Sequence, residues 1–160
     1  MMRILVVSDS HKLNVGIQKI VMNEGPFDRV IHLGDSCVFE SEVREIVKCP
    51  VDIIAGNCDT MSYFPKEKVI EIGKHKILLV HGHNHGVKYG YERLIHYGLE
   101  KEVDTVMFGH IHTPVMMEMP GMTLVNPGSI SLPRQASRKP TYIIMEVDED
   151  GEVKYIFKEL

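Results

Sequence analysis

The first 55 residues alternate between short, unbroken apolar runs and amphipathic stripes of helical period, and that alternation limits the folds open to the chain. Arg3 to Val7, Arg29 to Leu33 and Val51 to Ala55 are rich in β-branched residues and show no polar alternation, the pattern of strands buried on both faces. Between them Leu13, Ile17, Ile20 and Val21 recur at helical spacing before Gly25-Pro26, and Val43, Ile46 and Val47 do so before Pro50. Such a β-α-β-α-β segment has parallel strands and right-handed crossovers. Helices therefore cover the sheet, and the loops at the strands' carboxyl ends gather on one edge.

Beyond a polar loop at residues 57 to 66 the pattern turns antiparallel. Lys68 to Ile72 and Lys76 to Val80 flank Gly73-Lys74-His75 as a hairpin. Tyr91, Leu94, Ile95 and Leu99 predict a third helix and Asp104 to Phe108 a further strand. Val115 to Met119, Met122 to Val125, Tyr142 to Val147 and Val153 to Lys158 complete an all-β tail. This many strands in a short chain need two sheets with helices outside. The expected architecture is α/β, a four-layer αββα sandwich with two mixed β-sheets, in a single domain over residues 1–160.

The polar residues fall at the strands' carboxyl ends. Strand one delivers Asp9-Ser10-His11, strand two Gly34-Asp35 and strand three Gly56-Asn57. His81-Gly82-His83 follows the hairpin, and Gly109-His110-Ile111-His112 follows the strand after the third helix. Side chains at i and i+2 of an extended segment point the same way, so Asp9 with His11, and His110 with His112, each offer two ligands on one side. Asp9, His11, Asp35, Asn57, His81, His110 and His112 then converge. Carboxylate, imidazole and amide donors without thiolate suit manganese, iron, zinc, cobalt or nickel. Seven donors exceed the need of one tetrahedral ion and suffice for two if a carboxylate bridges. Two ions roughly 3.5 to 4 Å apart are the arrangement used for in-line displacement at phosphorus. A single histidine after a strand is usually a loop residue bonded to backbone; the joint placement of seven donors carries the reading.

Composition narrows the class. A net charge of -4 argues against wrapping duplex nucleic acid, which takes many Lys and Arg. Three cysteines without a C-x-x-C pair indicate neither a disulfide framework nor a thiolate zinc site. The apolar run Ile4 to Val7 is too short for a signal-peptide core, and no stretch is long enough for a membrane span, so a cytoplasmic protein with no membrane contact is expected.

Asp-x-His, Gly-Asp, Gly-Asn-x-Asp, His-Gly-His and Gly-His-x-His, in this order and at these intervals, resemble the calcineurin-like metallophosphoesterase superfamily over residues 3 to about 147. Gly56-Asn57-Cys58-Asp59, and Asn126-Pro127-Gly128-Ser129 followed by Pro133-Arg134, resemble its small YfcE-like phosphodiesterases. The resemblance implies that Asp9, His11 and His112 hold one divalent ion, that Asn57, His81 and His110 hold a second, and that Asp35 bridges them. It implies hydrolysis of small phosphodiesters by a hydroxide shared between two divalent metal ions, manganese first, with nickel, iron, zinc, cobalt or magnesium as others. Asn57, Asp35 and His81 form the implied catalytic set, and Asn57, Cys58 and Arg134 face the substrate. Arg134 either meets the phosphate or ties down its loop, and Asp59 either orients a ligand or caps a turn.

One departure has a chemical consequence. Many superfamily members place His where this chain has Cys58, and a thiol is a poor proton donor to an alkoxide. Diesters with acidic leaving groups are the better substrates on this reading, unless His83 or another group supplies the proton. A phosphomonoesterase or nuclease of the same superfamily is one alternative. A non-catalytic scaffold, like the retromer subunit that resembles this fold, is the other; the full set of metal-competent residues favours catalysis. No basic stripe for long nucleic acid is present, and a homo-oligomer is compatible with the pattern. Met116, Met117, Met119 and Met122 are expected to fill a strand core, His96 to be solvated, and Cys37 to be a small buried thiol or a redox-sensitive neighbour of Asp35.

Overall fold

The computed structural model describes residues 1–160. The first half runs β1 (Met2–Val7), α1 (Val15–Glu24), β2 (Arg29–His32), α2 (Glu40–Val47), β3 (Val51–Ile53), β4 (Glu67–Ile72) and β5 (His75–Val80). A single 3₁₀ turn (His83–His85) precedes α3 (Glu92–Glu100), β6 (Thr105–Met107), β7 (Pro114–Met119), β8 (Met122–Pro127), β9 (Thr141–Val147) and β10 (Val153–Glu159).

Two five-stranded mixed sheets result, ordered β10-β9-β1-β2-β3 and β4-β5-β6-β8-β7. β1, β2 and β3 pair in parallel, with Val6 opposite Ile31 and Ile31 opposite Asp52. β5, β6 and β8 are parallel in the second sheet. The antiparallel partners β9 and β10 on one sheet, and β4 and β7 on the other, fill the flanks. Ile4, Val6, Ile31, Ile70, Ile77, Leu79, Val125 and Ile143 interdigitate between the sheets. Leu5, Val7 and Val30 face α1 and α2 through Ile17, Ile20, Val43 and Val47, while Leu78, Val106 and Leu124 face α3 through Leu94. Both faces of β1 are thus buried, which is why its sequence shows no alternation. These layers form the αββα sandwich expected from the strand pattern.

Local details differ. Helix α1 begins at Val15, so Leu13 is an exposed loop residue, and Leu99 lies on the solvent side of α3. Met116 and Met117 are 41% and 38% exposed on the edge strand β7, contrary to the core role expected of them; only Met122 of that group is buried. An edge strand buries one face at most, and the run of methionines hides which face that is. Buried Asp52 on β3 receives Arg29 of the neighbouring strand and Lys68 of β4 in the other sheet, which pins the two sheets together at that flank. No helix is long and apolar enough to cross a membrane.

Candidate metal centre

The carboxyl ends of β1, β2 and β3 in one sheet meet those of β5 and β6 in the other. Backbone bonds knit their loops: Asp9 N–H donates to Gly34 O at 3.0 Å, His11 N–H to Asp35 O at 2.9 Å and Gly109 N–H to His81 O at 3.1 Å. Asp9, His11, Asp35, His110 and His112 all hold left-handed backbone, with φ between 45° and 70°. Residues with side chains keep that conformation only where the surroundings enforce it, and such positions cluster at functional sites. Asp9 with His11, and His110 with His112, therefore do not meet by the alternation of an extended strand, as the i and i+2 argument assumed. Their loops turn sharply instead. The His112 ring lies 5.3 Å from His11, while the His110 ring lies 5.2 Å from His81.

Two carboxylates stand at the middle. Asp9 Oδ1 lies 3.0 Å from His112 Nε2, 3.8 Å from His81 Nε2 and 3.9 Å from His11 Nε2. Asp35 Oδ2 lies 3.4 Å from His81 Nε2 and 3.8 Å from His11 Nε2. The remaining oxygens are held by protein: Asp9 Oδ2 accepts from Ser8 Oγ at 2.6 Å and His110 N–H at 3.1 Å, and Asp35 Oδ1 accepts from Cys58 N–H at 2.8 Å. On the far side of two rings, His81 Nδ1 meets Leu33 O at 2.7 Å and His112 Nδ1 meets Leu132 O at 2.8 Å. A carbonyl accepts only, so each Nδ1 carries a proton, and in the neutral ring each Nε2 is left with a lone pair for a metal.

Acceptors that face one another in a buried place repel unless a cation lies between them. Asp9 Oδ1 and His81 Nε2 are buried and have no hydrogen-bond partner, an arrangement that fits a divalent ion better than a neutral core. Asp9, His11 and His112 form one group able to hold an ion, and Asp9, Asp35 and His81 a second. Titration follows the same geometry. With no metal bound, a proton takes the cation's place: burial raises the Asp9 and Asp35 pKa values, yet His112 and His81, donating as charged rings, outweigh it and hold both carboxyls below the usual range, and the two carboxylates in turn outweigh burial and raise His81. Burial and the neighbouring charge of His81 push His110 down to about 4, which leaves it a neutral donor at physiological pH.

Asn57 and Cys58 lie exposed on the loop after β3, where Asn57 Nδ2 approaches Cys58 Sγ at 3.4 Å. In this structure the amide is turned along the rim toward the thiol. Burial and Asp35 push the Cys58 thiol up to about 11. Arg134 is exposed, and its backbone N–H donates to His112 O at 2.9 Å while the guanidinium makes no bond. His83 stands 5.5 Å from His81, ring to ring, and burial together with His81 lowers its pKa.

Further side chains brace these loops without facing the cluster. Asp59, for which capping and orienting were both open, does both: Oδ2 accepts from Asp35 N–H at 2.6 Å and Gly56 N–H at 2.8 Å, and Oδ1 accepts from Cys37 N–H at 2.7 Å. Ser129 and Ser131 each donate to Asp9 O at 2.8 Å, and Asn126 Nδ2 donates to Gly109 O at 2.9 Å. The Asn126 to Ser129 motif thus props up the loops that hold Asp9 and His110.

His32 is fully buried beneath the cluster, between Ser10 Oγ at 2.9 Å and Gly34 N–H at 3.3 Å, and burial pushes its pKa from 6.5 down to about 4. Unfolded chains bind the proton from pH 6.5 downward while the folded one does not, so stability falls between pH 6.5 and about 4, by up to roughly 3 kcal/mol. Denaturant unfolding of metal-stripped protein is expected to show that decline, with a shallower slope for His32→Gln. Equal slopes would assign the acid sensitivity to other groups.

A four-layer sandwich with carboxylates and imidazoles converging at its parallel strand ends defines the class of metal-dependent phosphoesterases. Residues 2–150 match the calcineurin-like phosphoesterase superfamily domain. The chain is 37% identical over 151 residues to the probable metallophosphoesterase YsnB of Bacillus subtilis, covering 94% of this chain and 87% of that one. A conserved uncharacterized protein and predicted phosphoesterase from Streptococcus pneumoniae superposes with a TM-score of 0.80 at 28% identity, over 98% of each chain. Wild-type Vps29 from Entamoeba histolytica, complexed with Zn²⁺, does so with a TM-score of 0.77 at 25% identity, over 99% of each. The chain belongs to the calcineurin-like phosphoesterase superfamily.

Proposed function

We propose that this protein hydrolyses small phosphodiesters and uses two divalent ions, manganese foremost, to do so. The observation that carries the reading is the division of the cluster into two imidazole pairs, His11 with His112 and His81 with His110, around Asp9 Oδ1 and Asp35 Oδ2. Asp9, His11 and His112 would hold one ion, His81, His110 and Asn57 the other, and Asp35 Oδ2 would serve both. Divalent ions bound there supply Lewis acidity toward a phosphoryl oxygen and lower the pKa of water to roughly 7.

The rest is the work of the chain. Leu33 O and Leu132 O keep two imidazoles in the metal-binding tautomer, and Asp59 holds the Asp35 and Gly56 loops together. Asn57 and Arg134, exposed at the rim, offer N–H donors to phosphoryl oxygens. Cavities of about 650 Å³ on the Cys58 side and about 360 Å³ on the His81 and His83 side flank the cluster, one for each organic arm of a diester. The zinc-bound Vps29 neighbour supports metal binding by this fold.

Protein stripped with chelator and reloaded with Mn²⁺ is expected to hydrolyse bis(p-nitrophenyl) phosphate faster than p-nitrophenyl phosphate, with two ions per chain. Preference for the monoester would assign a phosphomonoesterase. Vps29 neighbours, named for vacuolar protein sorting, keep a binding scaffold as the second reading, and absence of both bound metal and hydrolysis would select it.

A thiol with its pKa near 11 protonates an alkoxide poorly, so Cys58→His is expected to raise kcat for alkyl leaving groups about 10²-fold and to flatten the dependence on leaving-group pKa. An unchanged slope removes position 58 from proton transfer.

A further inference from the structure

A second set of donors stands beside the carboxylates. His11, Cys37 and Cys58 come from the loops after β1, β2 and β3, and their side-chain donor atoms lie within 4.8 Å of one another. Neither thiol is needed to hold the ions of the proposed phosphoesterase centre.

The backbone around all three is fixed before any ligand arrives. Bonds from His11 N–H to Asp35 O and Lys12 N–H to Ser36 O, both 2.9 Å, tie the first loop to the second. Cys37 N–H to Asp59 Oδ1 at 2.7 Å and Cys58 N–H to Asp35 Oδ1 at 2.8 Å tie the second to the third. His11 and Cys37 hold φ of 45° and 56°, which side-chain-bearing residues keep only under such restraint. Cys58 is exposed, Cys37 is half-buried, and both line the open cavity of about 650 Å³, so an ion reaches them from solvent. Cys49, the third cysteine, packs against the core under α1 and α2 instead.

Two sulfurs and one imidazole suit a soft or borderline cation such as Zn²⁺ or Cd²⁺, and three protein ligands with an open fourth position make a tetrahedral site. Mn²⁺ and Mg²⁺ prefer oxygen donors and do not compete for the two sulfurs. We infer that His11, Cys37 and Cys58 form a separate site for a thiophilic divalent cation, adjoining the carboxylate cluster. As each metal–sulfur bond forms, the thiol proton passes to solvent; no oxidant or reductant takes part. His11 belongs to both sets, so an ion bound here engages a side chain that the neighbouring centre also uses.

The test is titration of the full chain with Cd²⁺ in excess Mn²⁺, followed by the ultraviolet charge-transfer band of cadmium–sulfur bonding. That band reports sulfur ligation whether or not the protein hydrolyses phosphodiesters. The expected result is saturation at one Cd²⁺ per chain, unchanged in Cys49→Ser. Cys37→Ser and Cys58→Ser are each expected to lose band intensity and bind about tenfold more weakly or worse, since loss of even an outer partner costs 10- to 100-fold. Circular dichroism checks that the serine variants fold; iodoacetamide alkylation of the wild-type thiols, which is expected to abolish the band, serves where one does not. No band in the wild type, a band that survives both substitutions, or one that follows Cys49 overturns the site.

Discussion

Asp35→Asn is expected to lower Mn²⁺-supported turnover of bis(p-nitrophenyl) phosphate by about 10³-fold while the protein stays folded, the loss found when one electrostatic contact is removed from an active site. The geometry dictates how the amide settles. Asp35 Oδ1 accepts the Cys58 N–H at 2.8 Å, so the amide oxygen takes that place; the reverse orientation would set two donors face to face. The NH₂ then occupies the Oδ2 position, 3.4 Å from His81 Nε2 and 3.8 Å from His11 Nε2. A donor with no charge and no lone pair now stands where the anion was, and it can bond to His81 Nε2 in place of an ion. Metal analysis is expected to show fewer ions per chain, and circular dichroism an unchanged fold. Near-normal turnover would remove Asp35 from the bridging position.

Gly56→Ala is the second large effect, and it comes from space alone. A Cβ at Gly56 would lie 2.0 Å from Asp35 Oδ1 and 2.4 Å from Asp35 N, and one of those atoms is backbone that cannot swing aside. The loop must move, and with it the Asp59 bonds to Gly56 N–H and Asp35 N–H. Overpacking of this kind costs about 1–3 kcal/mol. For a chain of this size that is a fall in Tm of roughly 2–12 °C. Displacement of Asp35 is expected to weaken Mn²⁺ binding about 10- to 100-fold as well, the scale of losing a partner that orients a ligand. Gly121→Ala is the control: a Cβ there meets nothing within 4 Å, so only the left-handed backbone penalty of about 1–2 kcal/mol applies, and metal affinity stays as it was. Equal metal affinity in Gly56→Ala and the wild type would show that the close approach has no bearing on the site.

The positions of Asp9, Asp35, His81, His110 and His112 along the chain were legible because a parallel strand must end where its neighbours end. Apolar runs located β1, β2, β3, β5 and β6, and the polar residue after each run had to stand on the shared edge. Asn57 was legible as a rim residue for the same reason, but not the direction in which its amide turns, whereas Arg134 entered only through the family resemblance of Pro133-Arg134. His32 drew no attention from its spacing, because its importance comes from complete burial between Ser10 and Gly34, not from periodicity. The carbonyls of Leu33 and Leu132, which set the imidazole tautomers, have no sequence signature: any residue supplies a carbonyl.

By itself, then, the sequence determined the layers of the sandwich, the edge at which its chemistry-bearing residues meet, and the donor types there, since strand pattern and residue identity are local properties. Only the tertiary structure decided how those donors divide. The split of His110 from His112, the left-handed turns at Asp9, His11 and Asp35, and the approach of Cys37 to Cys58 and His11 join residues as much as 101 positions apart. Their geometry depends on how two sheets pack and on which backbone groups the packing leaves to be bonded, and neither is written in any one segment of the chain.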